Sequence, residues 1–382
     1  MLAISVFALL SLGSPCLAWE WGKSGKWNHK QRTTCHGGES TIEYTTISGF
    51  FQQDDPSTDS SSFDYAEVNY GLIERPYLTD NEFDPKGEKT QWERFAYYVN
   101  TLNLESDKNT QYKVLFMARH GEGYHNAAES YYGTPAWNCY WGPLEGNGTS
   151  VWRDALLTEA GFAQCTKANN FWKNALAVEK IPAPQAYYSS PLIRSATTAN
   201  LTFNGLDLPA DRPFVPIVKE FLREGISMRT CDLRSNKTYI QSLLPAFTFE
   251  EGFTENDELW RGYEGETSEA QRKRTKIFLD DVFSNDDSTW VSITSHSGQI
   301  RENLRILNHI EFRLSTGQAI PALIKAVNNR RVEPVTTTIQ SFVPEATCSS
   351  PPITSISGQG CVCSSAASTA VFASATPTAT PA

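Results

Sequence analysis

Short apolar runs recur along the chain, each followed by polar residues and then by a stretch with helical spacing. Lys113 to Ala118 is one such run, Ala186 to Ser189 a second, Phe214 to Val218 a third and Trp290 to Thr294 a fourth. Runs this short, bounded by polar residues, fit strands buried on both faces. The intervening segments read as helices. Thr158 can cap one running to about Glu179, and Pro191 begins another through Thr202. Ser268 with Gln271 makes a capping box before a helix over 269–283, and Gly298 to Asn308 reads as a fourth helix. Ala322 to Val327 fits a last strand. Strands alternating with helices imply a mostly parallel central sheet covered on both faces, an α/β three-layer αβα sandwich.

The flanks differ from this core. Leu2 to Leu12 is almost entirely apolar and Cys16-Leu17-Ala18 presents small residues where a signal peptidase cuts, so residues 1–18 read as a secretory signal. The run is about 11 residues, against roughly 20 for a membrane span, and no later segment is longer, so no membrane insertion is expected. Residues 19–112 form an N-terminal extension, polar and aromatic to residue 40 and mixed thereafter, expected to wrap the core 113–328 within one domain, 19–343. Asp54, Asp55, Asp59 and Asp64 lack the spacing of a calcium loop and read as a solvated loop with Asx turns. From 344 to 382 the chain is Ser, Thr, Ala and Pro with almost no charge, which predicts a disordered tail.

Composition narrows the setting. Lys+Arg 33 against Asp+Glu 43 gives a net charge of −10, and no basic face is evident, which argues against nucleic acid as a partner. Asn147, Asn200 and Asn236 head three N-glycosylation sequons, consistent with a secreted, extracellular or cell-wall-associated glycoprotein. Removal of Cys16 leaves Cys35, Cys139, Cys165, Cys231, Cys348, Cys361 and Cys363, an odd set that allows at most three bridges and leaves one thiol over. Cys361 and Cys363 are too close to pair with each other without strain. No zinc spacing exists among these cysteines.

The candidate chemistry sits where apolar runs end. Arg119-His120-Gly121-Glu122 follows the first, Ser189-Ser190-Pro191-Leu192-Ile193-Arg194 closes the second, and Ser295-His296-Ser297-Gly298 follows the fourth. Ligands of open α/β sheets bind outside the carboxyl ends of the strands. Two arginines and two histidines converging there make an anion site, with guanidinium forks matched to phosphate oxygens.

Arg119-His120-Gly121-Glu122-Gly123-Tyr124-His125-Asn126 resembles the signature of the histidine phosphatase superfamily, in its phosphoglycerate mutase-like branch. Four further segments resemble that family in its order across about 113–328. They are Asp154 to Gly161, Ser190 to Thr198, Leu222-Arg223-Glu224 and Ser295 to Arg301. The resemblance implies a phosphoglycerate mutase-like fold and a set of roles. His120 is the nucleophile that takes a phosphoryl group. Arg119, Arg194 and His296 clamp its oxygens, with Asn126, Ser297 and Gly298 also binding substrate. Glu224 protonates the leaving oxygen and then activates water. An ion pair of Glu224 with Arg223 or Arg229 is the competing structural reading. His125 lies outside the matched pattern and reads as structural or substrate-facing. Arg229, Arg234 and Lys237 face a second anionic group or simply solvent. The aromatic insert 127–153 either roofs the site or packs.

The expected protein is a secreted, metal-independent phosphomonoesterase acting on a small phosphorylated substrate without a cofactor. A mutase and a non-catalytic phosphate-binding glycoprotein are the alternatives. The substrate and the oligomeric state are not legible in the residues.

Overall fold

The computed structural model describes residues 40–330 and 341–352, with short pieces at 20–21, 27–28, 354–356 and 360–363. The expected signal at 1–18 and the end of the tail lie outside the described residues. The chain divides into two units, Met1–Thr41 with Asn329–Thr336, and Ile42–Asn328 with Thr337–Ala382. In the first, Glu20–Trp21 pairs antiparallel with Trp27–Asn28. The expected domain over 19–343 includes residues of both units.

A seven-stranded sheet organises the second unit. Its strands are β1 (Ser40–Thr46), β2 (Thr110–Arg119), β3 (Ala186–Ser189), β4 (Ile217–Val218), β5 (Thr248–Phe249), β6 (Trp290–Ser295) and β7 (Ala319–Arg330). Their order across the sheet is β1-β7-β2-β6-β3-β4-β5. From β2 to β5 every pairing is parallel, and β7 runs antiparallel to β2. The fold is thus the mostly parallel α/β sheet expected. The third apolar run contributes only Ile217–Val218 to the sheet, because Phe214 instead packs in the apolar core beside Tyr187 and Phe203.

Alternate side chains of the strands feed two cores. Leu115 and Met117 of β2 join Phe278, Leu279 and Val282 of α6 (Ser268–Asn285) and Ile300 and Leu304 of α7 (Ser297–Ile306) on one face. Val114 and Phe116 meet Trp92, Phe95 and Val99 of α1 (Gln91–Glu105) on the other. Trp172 of α3 (Glu159–Asn174) and Phe203 of α4 (Ile193–Phe203) complete that second layer. Part of the extension is therefore integral to the core. Asp54 Oδ1 also lies 3.2 Å from His309 Nε2, and Tyr44 donates to Asp280 at 2.7 Å. Asp55, Asp59 and Asp64 each accept from the backbone N–H two residues on, as Asx turns do.

Helix starts follow side-chain caps. Thr158 accepts from Gly161 N–H at the head of α3. α6 is capped by Thr267, which accepts from Ala270 N–H, so the cap falls one residue before the expected Ser268. No helix among the described residues is long and apolar enough to cross a membrane.

At its start, the tail that the sequence read as disordered from 344 is continuous with a docked strap among the described residues. Phe342–Pro344 pairs antiparallel with Glu264–Glu266, Glu345 accepts from Met228 N–H at 2.7 Å, and buried Cys348 is bonded to Cys363. Low charge and abundant Ser and Thr did not prevent ordering here, because backbone pairing and a covalent link replace side-chain burial. Among the described residues Cys165 and Cys231 are both buried free thiols, so two cysteines rather than one stand outside any bridge.

Trp92 is fully buried and donates from Nε1 to Asn69 at 2.8 Å. Trp92→Ala should cost about 3–5 kcal/mol of unfolding free energy in urea titration. A loss under about 1 kcal/mol would show that α1 is an appendage and not core.

Candidate active site

The sheet register sets the site. Arg119 pairs with Ser295 and Ser189 with Thr294, so the carboxyl ends of β2, β6 and β3 lie side by side. The next residues, His120, His296 and Ser190, leave the sheet at the same level. His120 N–H still donates to Ser295 O at 3.0 Å and Ser190 N–H to Thr294 O at 3.1 Å, which anchors both exits. The rings of His120 and His296 end 5.0 Å apart between centroids.

The tautomer of His120 follows from one contact. Its Nδ1 lies 2.7 Å from Gly121 O. A carbonyl only accepts, so Nδ1 carries the proton and Nε2 offers a lone pair. Burial, then the positive charges of Arg194 and Arg119, hold the ring well below the usual imidazole range, and the Gly121 carbonyl acts weakly against that. His296, fully buried, is lowered by the same causes, and its Nε2 lies 2.8 Å from Ser190 Oγ. Its Nδ1 is buried without a partner.

Each arginine is fixed by a backbone carbonyl. Arg119 Nη1 donates to Leu314 O at 2.9 Å, and buried Arg194 Nη1 donates to Cys231 O at 2.6 Å. Arg194 Nη2 also lies 3.8 Å from Asp232 Oδ1. The Nε atoms of both arginines are buried with no protein partner. Asp154, buried at a positive φ of 39°, accepts from Ile193 N–H at 2.9 Å and Ser235 N–H at 2.7 Å. It thereby fixes the start of α4, on which Arg194 is the second residue. Burial raises the Asp154 carboxyl, and these donors oppose the rise.

Glu224 sits opposite, half-buried. Its Oε2 accepts from Gly298 N–H and its Oε1 from Gly225 N–H, both at 2.9 Å. The carboxylate thus lies at the positive N-terminal end of α7. Its negative charge also opposes the lowering that burial imposes on the Arg119 guanidinium, so the two face a common space. The competing ion pair is absent among the described residues. Arg223 turns away to Asp257 and Glu220, and Arg229 donates to Asn138 at 2.8 Å. Because Gly298 N–H is taken by Glu224, that backbone group positions the Glu224 carboxylate and is not free for a ligand.

Arg274 was not singled out from the sequence. It is buried and donates to the carbonyls of Phe221 and Arg223 at 2.9 and 2.8 Å and of Glu224 at 2.8 Å. Glu266 accepts from its Nε and Nη2 at 2.8 and 2.9 Å. Its one legible signal was helical spacing, since it falls one turn from Ala270 and Phe278. Thr198 is a second such residue. It accepts from Gly121 N–H at 3.0 Å and donates to Arg194 O at 2.7 Å. Gly121 is required by approach to α3, because a Cβ there would lie 2.7 Å from Gly161 O.

The remaining candidates disperse. Asn126 Oδ1 accepts from Gly123 N–H at 3.0 Å, which leaves its amide N–H groups as donors. Ser297 begins α7, partly exposed. Arg234 is buried on Glu220 and four backbone carbonyls, and Lys237 lies over the Phe249 ring, so neither faces a second anion. In the insert, Trp137 and Trp152 are buried and Tyr132 stacks on Trp141 at 4.1 Å, so these rings pack. Asn147 and Asn236 are exposed, whereas Asn200 is half-buried within α4.

Residues 115–321 match the model of the histidine phosphatase superfamily, branch 1, and the chain belongs to this family. A probable phosphoglycerate mutase of Arthroderma benhamiae is 46% identical over 284 residues, which is 74% of this chain and 84% of that protein. Phosphomutase-like protein 3 of Candida albicans is 33% identical over 320 residues, 84% of this chain and 90% of that one. A phosphoglycerate mutase structure from Thermus thermophilus matches at a TM-score of 0.31 with 22% identity, covering 55% of this chain and 91% of that chain.

Two outcomes follow from this geometry. A Cβ at position 298 would fall 2.3 Å from Glu224 Oε1. Gly298→Ala should therefore displace the carboxylate and lower kcat about 100-fold or more with little change in Tm, a loss on the scale of one misplaced acid. Unchanged kcat would remove Glu224 from the chemistry. Because His120 is held below its ordinary 6.5, the neutral ring persists as pH falls through that value. The acid limb of kcat/KM should lie below pH 6.5. A limb at or above it would contradict a neutral buried His120.

Proposed function

We propose that the chain is a secreted, metal-independent phosphomonoesterase that works through a phosphohistidine on His120. The observation that carries this reading is the His120 Nδ1 contact with Gly121 O, which leaves Nε2 unprotonated beside two guanidiniums. In the first step Nε2 attacks phosphorus, the ester P–O bond breaks, and Glu224 gives its proton to the departing oxygen. In the second, Glu224 takes a proton from water, the water oxygen bonds to phosphorus as the P–N bond breaks, and inorganic phosphate leaves with His120 restored. Arg119 and Arg194, with His296, supply donors to the phosphoryl oxygens, the role that cationic clamps fill in phosphoryl transfer.

Secretion rests on the apolar N-terminal run, the sequons and the Cys348–Cys363 bridge, which fits an oxidising compartment. A mutase is the second reading, favoured by the names its relatives carry. It differs only in the acceptor of the second step, a hydroxyl of the bound molecule in place of water.

The test is hydrolysis of para-nitrophenyl phosphate across the acidic and neutral pH range in EDTA, with wild type and His120→Ala. Activity in the wild type that vanishes in the variant, with an acid-labile and base-stable phosphoenzyme, is expected. An acid-stable adduct, or activity restored only by added metal, would refute the reading. Interconversion of 2- and 3-phosphoglycerate faster than phosphate release would favour the mutase. Glu224→Gln should slow turnover most for poor leaving groups, and an equal loss with good ones would exclude it as the acid.

A further inference from the structure

One buried polar ring beside this cluster has no role so far. His125 lies in the first turn of α2 (Tyr124–Tyr132) and is 8% exposed. Its ring centroid is 5.3 Å from that of His120, which is itself 5.0 Å from His296. The nucleophile therefore stands between two imidazoles. A histidine held only for packing normally pairs both nitrogens. His309 does so, with Nδ1 at 2.7 Å from Ile310 O and Nε2 at 3.2 Å from Asp54. His125 Nδ1 is buried and has no partner.

The orientation of the ring fixes its proton. Its Nδ1 and Cε1 edge lies over Gly123, where a Cβ would be 2.8 and 3.0 Å from those atoms. A buried N–H facing backbone carbon with no acceptor is costly, so the neutral ring carries its proton on Nε2. Burial, followed by the charges of Arg194, His120 and Arg119, keeps it neutral. Glycine at 123 also explains how the ring sits so close to the loop. A Cβ there would force the ring to shift.

We propose that His125 is a further phosphate-binding residue, which gives its Nε2–H to an oxygen of the phosphoryl group carried first by the substrate and then by His120. It transfers no proton. The ligand class is the dianionic phosphate monoester and its tetrahedral or trigonal-bipyramidal analogues. This rests on the phosphoryl-transfer reading of the site.

The probes are inorganic phosphate and orthovanadate, with binding measured by calorimetry. His125→Phe keeps an aromatic ring and loses the donor, whereas His125→Gln places an amide donor near the position of Nε2. We expect His125→Phe to weaken vanadate about 10- to 100-fold, the range for a hydrogen bond to a charged group. His125→Gln should recover most of that, at matched near-UV circular dichroism. Equal affinity in wild type and His125→Phe would overturn the proposal, as would equal loss in both variants. Nitrogen-15 NMR of the wild type is an independent check that no substitution can confound. The proton should sit on Nε2, and a proton on Nδ1 overturns the assignment. Wild type that binds neither probe would defeat the phosphoryl-transfer reading itself, a result distinct from any difference among variants.

Discussion

Positive charge gathered below the surface is the constraint on which this site depends. Arg119 and Arg194 approach three imidazoles, and their charges disfavour a proton on each ring. Burial has the same sign, so the three rings stay neutral beside the guanidiniums. The guanidiniums are then held by carbonyls, Leu314 O and Cys231 O, rather than by tight carboxylate pairs. A carbonyl fixes direction without cancelling charge. The acid nearest Arg194 stands off at 3.8 Å and accepts from Ser227 Oγ through its other oxygen. What is left is a preorganised field that an anion completes.

The Glu224 carboxylate is held in the opposite way. Glu224 lies outside any ion pair with Arg223, which is consumed by Asp257 and Glu220. Backbone N–H groups at the head of α7 hold it instead, and Arg274 grips the carbonyls of its segment. The guanidiniums and the Glu224 carboxylate are thus oriented by main chain, at element ends, while side-chain charge is kept available.

Much of this was legible in the residues because strand ends carry the chemistry and short apolar runs mark strands. The existence of β2, β3 and β6, and the convergence of Arg119, His120, Arg194 and His296, followed from that alone. Glu224 was placed by resemblance, since the local spacing offered Arg223 as an equally good partner. Arg274 and Thr198 were hidden, because their roles depend on contacts 50 and 77 residues distant along the chain. The cap of α6 moved by one residue because Thr267 and Ser268 offer the same hydroxyl. The docking of the strap was invisible for a different reason. Backbone pairing leaves no apolar period, and composition alone reads Ser, Thr and Pro as unfolded.

The strap also sets an order of events. Its contacts reach the segment that carries Glu224, through Glu345 to Met228 and through Phe342–Pro344 to the strand whose Glu266 N–H donates to Ile226 O. Those contacts close only when residues 342–345 dock, so the sheet ends that carry His120 and His296 can be in place before the Glu224 segment is fully held.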